Sequence, residues 1–97
     1  MKYSELIDIA RAQLRGTNTD CITICGRNYS DEAEPPNMVS VFPGNNEGYF
    51  ISVSDRNGDA LFYVRTHGSR ADALEIHNVL FNWIDSQIKS EYRSWCD

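Results

Sequence analysis

At 97 residues, with 41% hydrophobic residues including four Phe, two Trp and five Tyr, the chain supports one domain around one modest core. A formal net charge of -5 and a pI near 4.8 argue against direct binding to nucleic acid or to an anionic membrane, since both require a basic face. No apolar run approaches the roughly 20 residues of a membrane span, and Met1-Lys2-Tyr3-Ser4 leads into an amphipathic pattern rather than a signal sequence, so the cytoplasm is the expected address.

Residues 3–15 predict a first helix. Ser4 is its expected N-cap, Glu5 and Asp8 suit the positive first turn, Arg11 and Arg15 the negative last turn, and Gly16 the left-handed exit. Leu6, Ile7, Ala10 and Leu14 form a narrow apolar stripe. After a turn at residues 17–20, residues 21–27 alternate as a strand, with Ile22 and Ile24 on one face and Cys21, Thr23 and Cys25 on the other. Three cysteines fit reduced thiols better than a disulfide framework. Cys21 and Cys25 on one strand face would stand roughly 13 Å apart at about 3.3 Å per residue, too far for a disulfide or a shared zinc ion. Both are therefore expected as small buried hydrophobes.

Residues 28–37 read as an exposed acidic loop, because Asp31, Glu32 and Glu34 precede Pro35-Pro36, which block both helix and ladder. Residues 38–42 predict a second strand, followed by the turn-rich Pro43-Gly44-Asn45-Asn46. Residues 49–54 and 60–65 then form the strongest hairpin signal, joined at Asn57-Gly58 by a two-residue turn. In that register Arg56 faces Asp59, Val53 faces Phe62 and Ile51 faces Val64. Tyr49, Ile51, Val53, Phe62 and Val64 then share one face, and Phe50, Ser52, Ser54, Leu61, Tyr63 and Arg65 share the other.

Residues 69–95 predict one long helix, opened by the capping box Ser69-Arg70-Ala71-Asp72. At about 100° per residue, Ala73, Leu74, His77, Leu80, Phe81, Ile84, Ile88, Tyr92 and Trp95 fall on one side, with Ile76, Val79 and Trp83 widening the apolar arc. So wide an arc needs a second flanking element, for which the first-helix stripe is the natural candidate, or else a partner. The order helix, four strands, helix predicts an α+β two-layer domain: an antiparallel meander with both helices on one sheet face. The last helix, near 40 Å long at about 1.5 Å per residue, should overhang a sheet only about 20 Å wide. Val79, Trp83, Tyr92 and Trp95 are accordingly the candidate dimer contacts.

Chemistry is thinly signalled. His67 and His77 beside the cysteines permit a Cys and His dyad on inventory, with Cys25 or Cys96 as the thiol, but nothing sets a nucleophile at a helix N-terminus or near an orienting acid. No His or Cys pair has metal-ligand spacing, and the Asp55 to Asp59 run is better explained as a turn than as a calcium loop. No catalytic residue, metal or cofactor is expected.

Charge is the sharper clue. Residues 28–61 carry six acids (Asp31, Glu32, Glu34, Glu47, Asp55 and Asp59) against one base, Arg56, so this segment nets -5 and the rest of the chain cancels. An acidic surface with Tyr29, Tyr49, Phe50 and Tyr63 as aromatic anchors suits a basic groove on another protein. In size, acidity and layout the chain resembles the small inhibitors that phages carry against bacterial defence systems, such as anti-CRISPR proteins, and more loosely bacteriocin immunity proteins. That resemblance implies a mode of action, steric or charge-mimicking blockade of a nucleic-acid-handling protein partner inside a bacterial host; a monomer or a homodimer is the expected state. A homodimeric structural or adaptor domain is the rival expectation.

Overall fold

The computed structural model describes residues 1–25, 28–45 and 47–96, the stretch 89–96 by its backbone alone. Helix α1 (Tyr3–Gln13) begins two residues earlier than the Ser4 cap implies, with Lys2 at the cap position, because the Lys2 amide donates to the carboxylate of Glu5, three residues on, at 3.2 Å. Tyr3, Leu6, Ile7, Ala10 and Leu14 are all buried. The helix ends at Gln13, two residues short of the predicted end, which leaves Arg15 outside its last turn; Gly16 takes the expected left-handed φ of 89, and Leu14 O accepts from both the Thr17 amide at 3.0 Å and its hydroxyl at 2.7 Å.

Four strands follow, β1 (Cys21–Ile24), β2 (Met38–Pro43), β3 (Tyr49–Ser54) and β4 (Ala60–Thr66), and then α2 (Arg70–Cys96). Strand β1 is shorter than its alternation suggests, and Gly26 and Arg27, which the sequence reading included in it, lie outside the described residues. Every pairing is antiparallel, in the order β1-β4-β3-β2. The α+β class is as expected, with both helices on the sheet. The meander, however, comprises only β2, β3 and β4, since β1 pairs with β4 at the far edge. The long segment between β1 and β2 makes that crossing possible, whereas a tight turn would have forced the two to be neighbours.

The β3–β4 hairpin corrects the predicted turn while keeping its main consequence. No non-glycine residue among those described has positive φ, so Asn57 cannot sit in the two-residue turn that requires it. Asp55 and Asp59 instead close a loop of Arg56, Asn57 and Gly58, with Asp55 N to Asp59 O at 3.0 Å, Gly58 N to Asp55 O at 3.1 Å and Gly58 at φ 88. Arg56 is thus a loop residue and does not face Asp59. One extra residue in β4, Leu61, lies between the pairs Ser54↔Ala60 and Val53↔Phe62 and restores the register, so Val53 faces Phe62 and Ile51 faces Val64 as predicted. Being the bulge residue, Leu61 escapes strict alternation and joins the core at 1% exposure rather than lying on the open face.

The core lies between one sheet face and the two helices. Ile51, Val53, Phe62 and Val64 meet Leu6, Ile7 and Ala10 of α1 and Ala73, Ile76, Leu80, Trp83 and Ile84 of α2. Helix α2 packs on β2, β3 and α1, so the first-helix stripe does flank the wide arc. The buried side of α2 is nonetheless rotated from the predicted one. Ile76 and Trp83 lie inside, whereas Leu74, Phe81 and Ile88 are 44%, 52% and 42% exposed. Wedging α2 against both α1 and the sheet turns its Ile76 and Trp83 side inward and leaves the Leu74 side beyond β2.

The capping box forms as the sequence predicts. The Ser69 amide donates to the Asp72 carboxylate at 2.7 Å, and the Asp72 amide returns to the Ser69 hydroxyl at 3.3 Å. The Ser69 hydroxyl also donates to the Asp72 carboxylate at 3.1 Å, and the two bonds that carboxylate accepts, the amide's first and the hydroxyl's second, hold the Asp72 carboxyl below its ordinary range. A lowered folded pKa stabilises above the unfolded value of about 3.9 and is lost as pH falls through the folded one. An Asp72→Asn variant should therefore melt below wild type at neutral pH, with the difference vanishing near the acid limit of a circular-dichroism melting series.

Gly48, before β3, has φ 118, and a Cβ there would overlap the Thr66 backbone carbonyl oxygen. Gly48→Ala is expected to cost about 2–3 kcal/mol in a urea titration. Gly58→Ala, at φ 88 with open space around it, should cost about 1 kcal/mol.

Candidate functional site: an acidic cleft beside an aromatic sheet face

Two stretches of acidic sequence meet at one end of the sheet. Residues 31–34 run beside the chain start, where Lys2 and Glu32 form an isolated antiparallel bridge and the Ala33 amide donates to Met1 O. The β3–β4 turn approaches from the other side. Between them lies a cleft of about 500 Å³ lined by Glu32, Glu34, Asp55, Asp59, Tyr63 and Cys25, among others. Four of the six predicted acids thus share one concavity. Asp31 adjoins it in sequence and is exposed. Glu47 does not belong to it, because it sits in the β2–β3 turn at the opposite end of β3, beside Phe50 and Arg65.

The four carboxylates differ in what they can offer. Asp55 is 4% exposed and accepts from the Asn57 amide at 2.8 Å and the Asp59 amide at 3.0 Å, so it is the residue that shapes the turn and not a partner contact. Glu32 is exposed but paired with the Met1 ammonium at 2.6 Å, a contact that lowers the pKa of Glu32 and raises that of the amine. Glu34 and Asp59 are exposed on the rim, and the described residues show no ion pair at either. Those two, with Asp31, are the accessible anionic groups at this end.

The aromatic candidates divide by strand parity. Phe50 and Tyr63 stand on the sheet face away from the helices, rings edge to face with centroids 6.5 Å apart, and the Arg65 guanidinium lies 5.7 Å over Phe50. Tyr63 also lines the acidic cleft, so the two features are continuous. Tyr49 points the other way and packs against the core, which removes it as an anchor. Tyr29 is 61% exposed in the acidic loop. Phe42, not among the predicted anchors, faces Phe50 across β2 and β3 and is 50% exposed. Alternation along β2 was the available signal, since Met38, Ser40 and Phe42 share a face.

The predicted dimer contacts fare differently. Trp83 is 8% exposed within the core of its own chain, and Val79 is half-buried against the same core, so neither is a free surface. The side chains of Tyr92 and Trp95 lie outside the described residues.

Thiol and imidazole are separated in what they touch. Burial pushes the Cys25 thiol up, opposite to activation, against a smaller lowering by the Tyr63 backbone. His67 stands 3.9 Å from Asp20, whose carboxylate also accepts the His67 amide, and His77 stacks on Phe81 at 6.0 Å. Cys21 is exposed, correcting its expected burial, because β1 is an edge strand and that side of it faces away from the helices. Among the described residues no group of three His, Cys, Asp or Glu side chains could hold a metal ion, and no helix is long and apolar enough to cross a membrane.

Fold and site together define a helix-backed antiparallel sheet carrying an acidic cleft at one end. Compared with known protein families, with characterised proteins and with solved structures, the chain matches none.

Proposed function

We propose that this protein is a small binding protein that inhibits a basic, nucleic-acid-handling partner by occupying its surface. One observation carries the reading: residues 31–34 and the β3–β4 turn, distant in sequence, bring Glu34 and Asp59 onto the rim of one cleft beside Tyr63. Scattered carboxylates would serve solubility alone. Gathered ones create a local negative potential that steers a cationic surface, and an adjacent aromatic supplies the desolvated anchor that charge by itself lacks. The mode of action is blockade of a groove that otherwise holds phosphate, in the manner of the phage-borne inhibitors the chain resembles. No chemistry is assigned to the site, and its work is recognition.

Affinity capture from a bacterial lysate at low and at high salt tests this directly. The expected result is a nucleic-acid-binding protein retained at low salt and released as ionic strength shortens the range of the field, from about 10 Å at 0.1 M to about 3 Å at 1 M. Capture of no basic protein at low salt, or of one indifferent to salt, would overturn the reading.

A further inference from the structure

Strand β2 is an edge of the sheet, and its residues Met38–Pro43 carry no charge and no bulge against β3. Long uncharged edges are templates for a further strand, and soluble proteins usually blunt them with a lysine, a proline, an inward charge or a bulge; here Pro43 stands only at the last position of the strand and leaves Met38 to Phe42 free of such a device. Above this edge runs the side of α2 that no element among the described residues covers. Leu74, Phe81 and Ile88, spaced by seven, are 44%, 52% and 42% exposed, and Met38 on the strand is 45% exposed. A groove of about 280 Å³ joins the two, lined by Met38, Ser40, His77, Phe81, Asp85 and Ile88 among others.

We infer that this face is a homodimer interface, in which two copies pair their β2 strands antiparallel about a two-fold axis at Ser40. Three features point to a second copy as the occupant. The first is self-complementarity: Met-Val-Ser-Val-Phe is nearly palindromic in character, so pairing about Ser40 sets Val39 against the partner's Val41 on the core side. It sets Met38 against the partner's Phe42 on the open side, and no charged residue meets its like.

The second feature is spacing. Because α2 packs on both β2 and β3, its axis lies between them. At about 4.8 Å per strand, continuing the sheet through β2 places the two α2 axes roughly 10 Å apart, the distance at which helices pack. The exposed heptad stripe is then the contact between the two helices. The third is charge: each copy carries -5, yet the strand itself is uncharged, Glu34 and Asp59 stand at the cleft, and Asp85 is the one acid lining the groove, so little negative charge faces its like across β2. The strand and the helix stripe supply roughly a dozen residues a side, the small end of specific interfaces, so a dimer with a micromolar dissociation constant is the expectation. The two acidic clefts would be left open in such a dimer.

Light scattering on the full chain at high micromolar concentration should give twice 11.1 kDa, falling towards the monomer on dilution. Ser40→Lys sets two like charges face to face at the axis, and Phe81→Glu charges the helix stripe. Both residues are exposed, so each variant should keep its circular-dichroism spectrum and become monomeric. Register is tested in a chain with Cys21, Cys25 and Cys96 changed to Ser. There Ser40→Cys faces its own copy at about 5 Å between Cα atoms and should oxidise to a linked dimer, whereas Thr23→Cys on the opposite sheet edge should not. A monomer at every concentration, leaving this edge to a strand from another protein, would overturn the inference. So would a dimer that tolerates Ser40→Lys or that links through position 23.

Discussion

A Phe62→Ala variant is expected to lose about 3–5 kcal/mol of stability, which brings a domain of this size close to unfolding at room temperature, where total stability is about 5–15 kcal/mol. Phe62 is fully buried and is the largest side chain with no exposure. Its position explains the size of the effect. In register it faces Ile24 on β1 and Val53 on β3, so the ring lies between cross-strand neighbours on one side of the sheet and the helices on the other. Removing it leaves a void that backbone hydrogen bonds on both flanks prevent from collapsing. A urea titration followed by circular dichroism measures this as a drop in midpoint at nearly constant slope. Phe81→Ala provides the contrast, because that ring is 52% exposed and its loss should move the stability of the single chain by no more than about 0.5 kcal/mol. Equal losses at the two positions would mean that the core is not where the burial places it.

Reversing the accessible acids should separate binding from folding. Asp31→Lys, Glu34→Lys and Asp59→Lys together change the net charge from -5 to +1, since each reversal adds two. All three residues are exposed. Asp59 contributes its backbone amide to Asp55 and its carbonyl to the turn, and its side chain is not used there. The fold should accordingly keep its melting temperature, while association with a basic partner weakens on the order of 100-fold at low salt, mostly through the association rate. Glu32 is left in place because its pairing with the Met1 ammonium ties down the chain start. Asp55 is left because its carboxylate organises the turn. Capture experiments with the triple variant read the binding, and thermal melts read the fold. Unchanged capture would show that the cleft is not the contact. A collapsed melt would show instead that these carboxylates hold structure.

Local signals carried far along this chain, and each case has a physical reason. The Ser69 and Asp72 box was legible because capping depends on residues three apart and on nothing else. Strand identity in β2 and β4 was legible because one face of each is more covered than the other, Val39 and Val41 half-buried in β2 and Phe62, Val64 and Thr66 buried in β4, which writes a period of two into the sequence. The Ile51 to Val64 pairing survived a wrong turn type because burial of both residues outweighs turn preference, and a one-residue bulge at Leu61 absorbed the difference. The concentration of acid between residues 28 and 61 was also visible, being a matter of counting.

Other features depend on contacts between segments far apart. That β1 pairs with β4 rather than β2 follows from a crossing of the chain, which no local pattern records. Which flank of the apolar arc on α2 turns outward was settled by where α1 and the sheet happen to press on it, leaving Leu74, Phe81 and Ile88 outside and Trp83 within. The same holds for the acids: six similar carboxylates in the sequence become two rim charges at Glu34 and Asp59, an ion pair at Glu32, a buried turn organiser at Asp55, an exposed neighbour at Asp31 and a distant Glu47. Composition and short-range periodicity thus determined the class of fold and the sign of the surface. Only the tertiary structure decided which charges and which apolar side chains stand together, because that depends on long-range packing, and a chain read one segment at a time does not contain it.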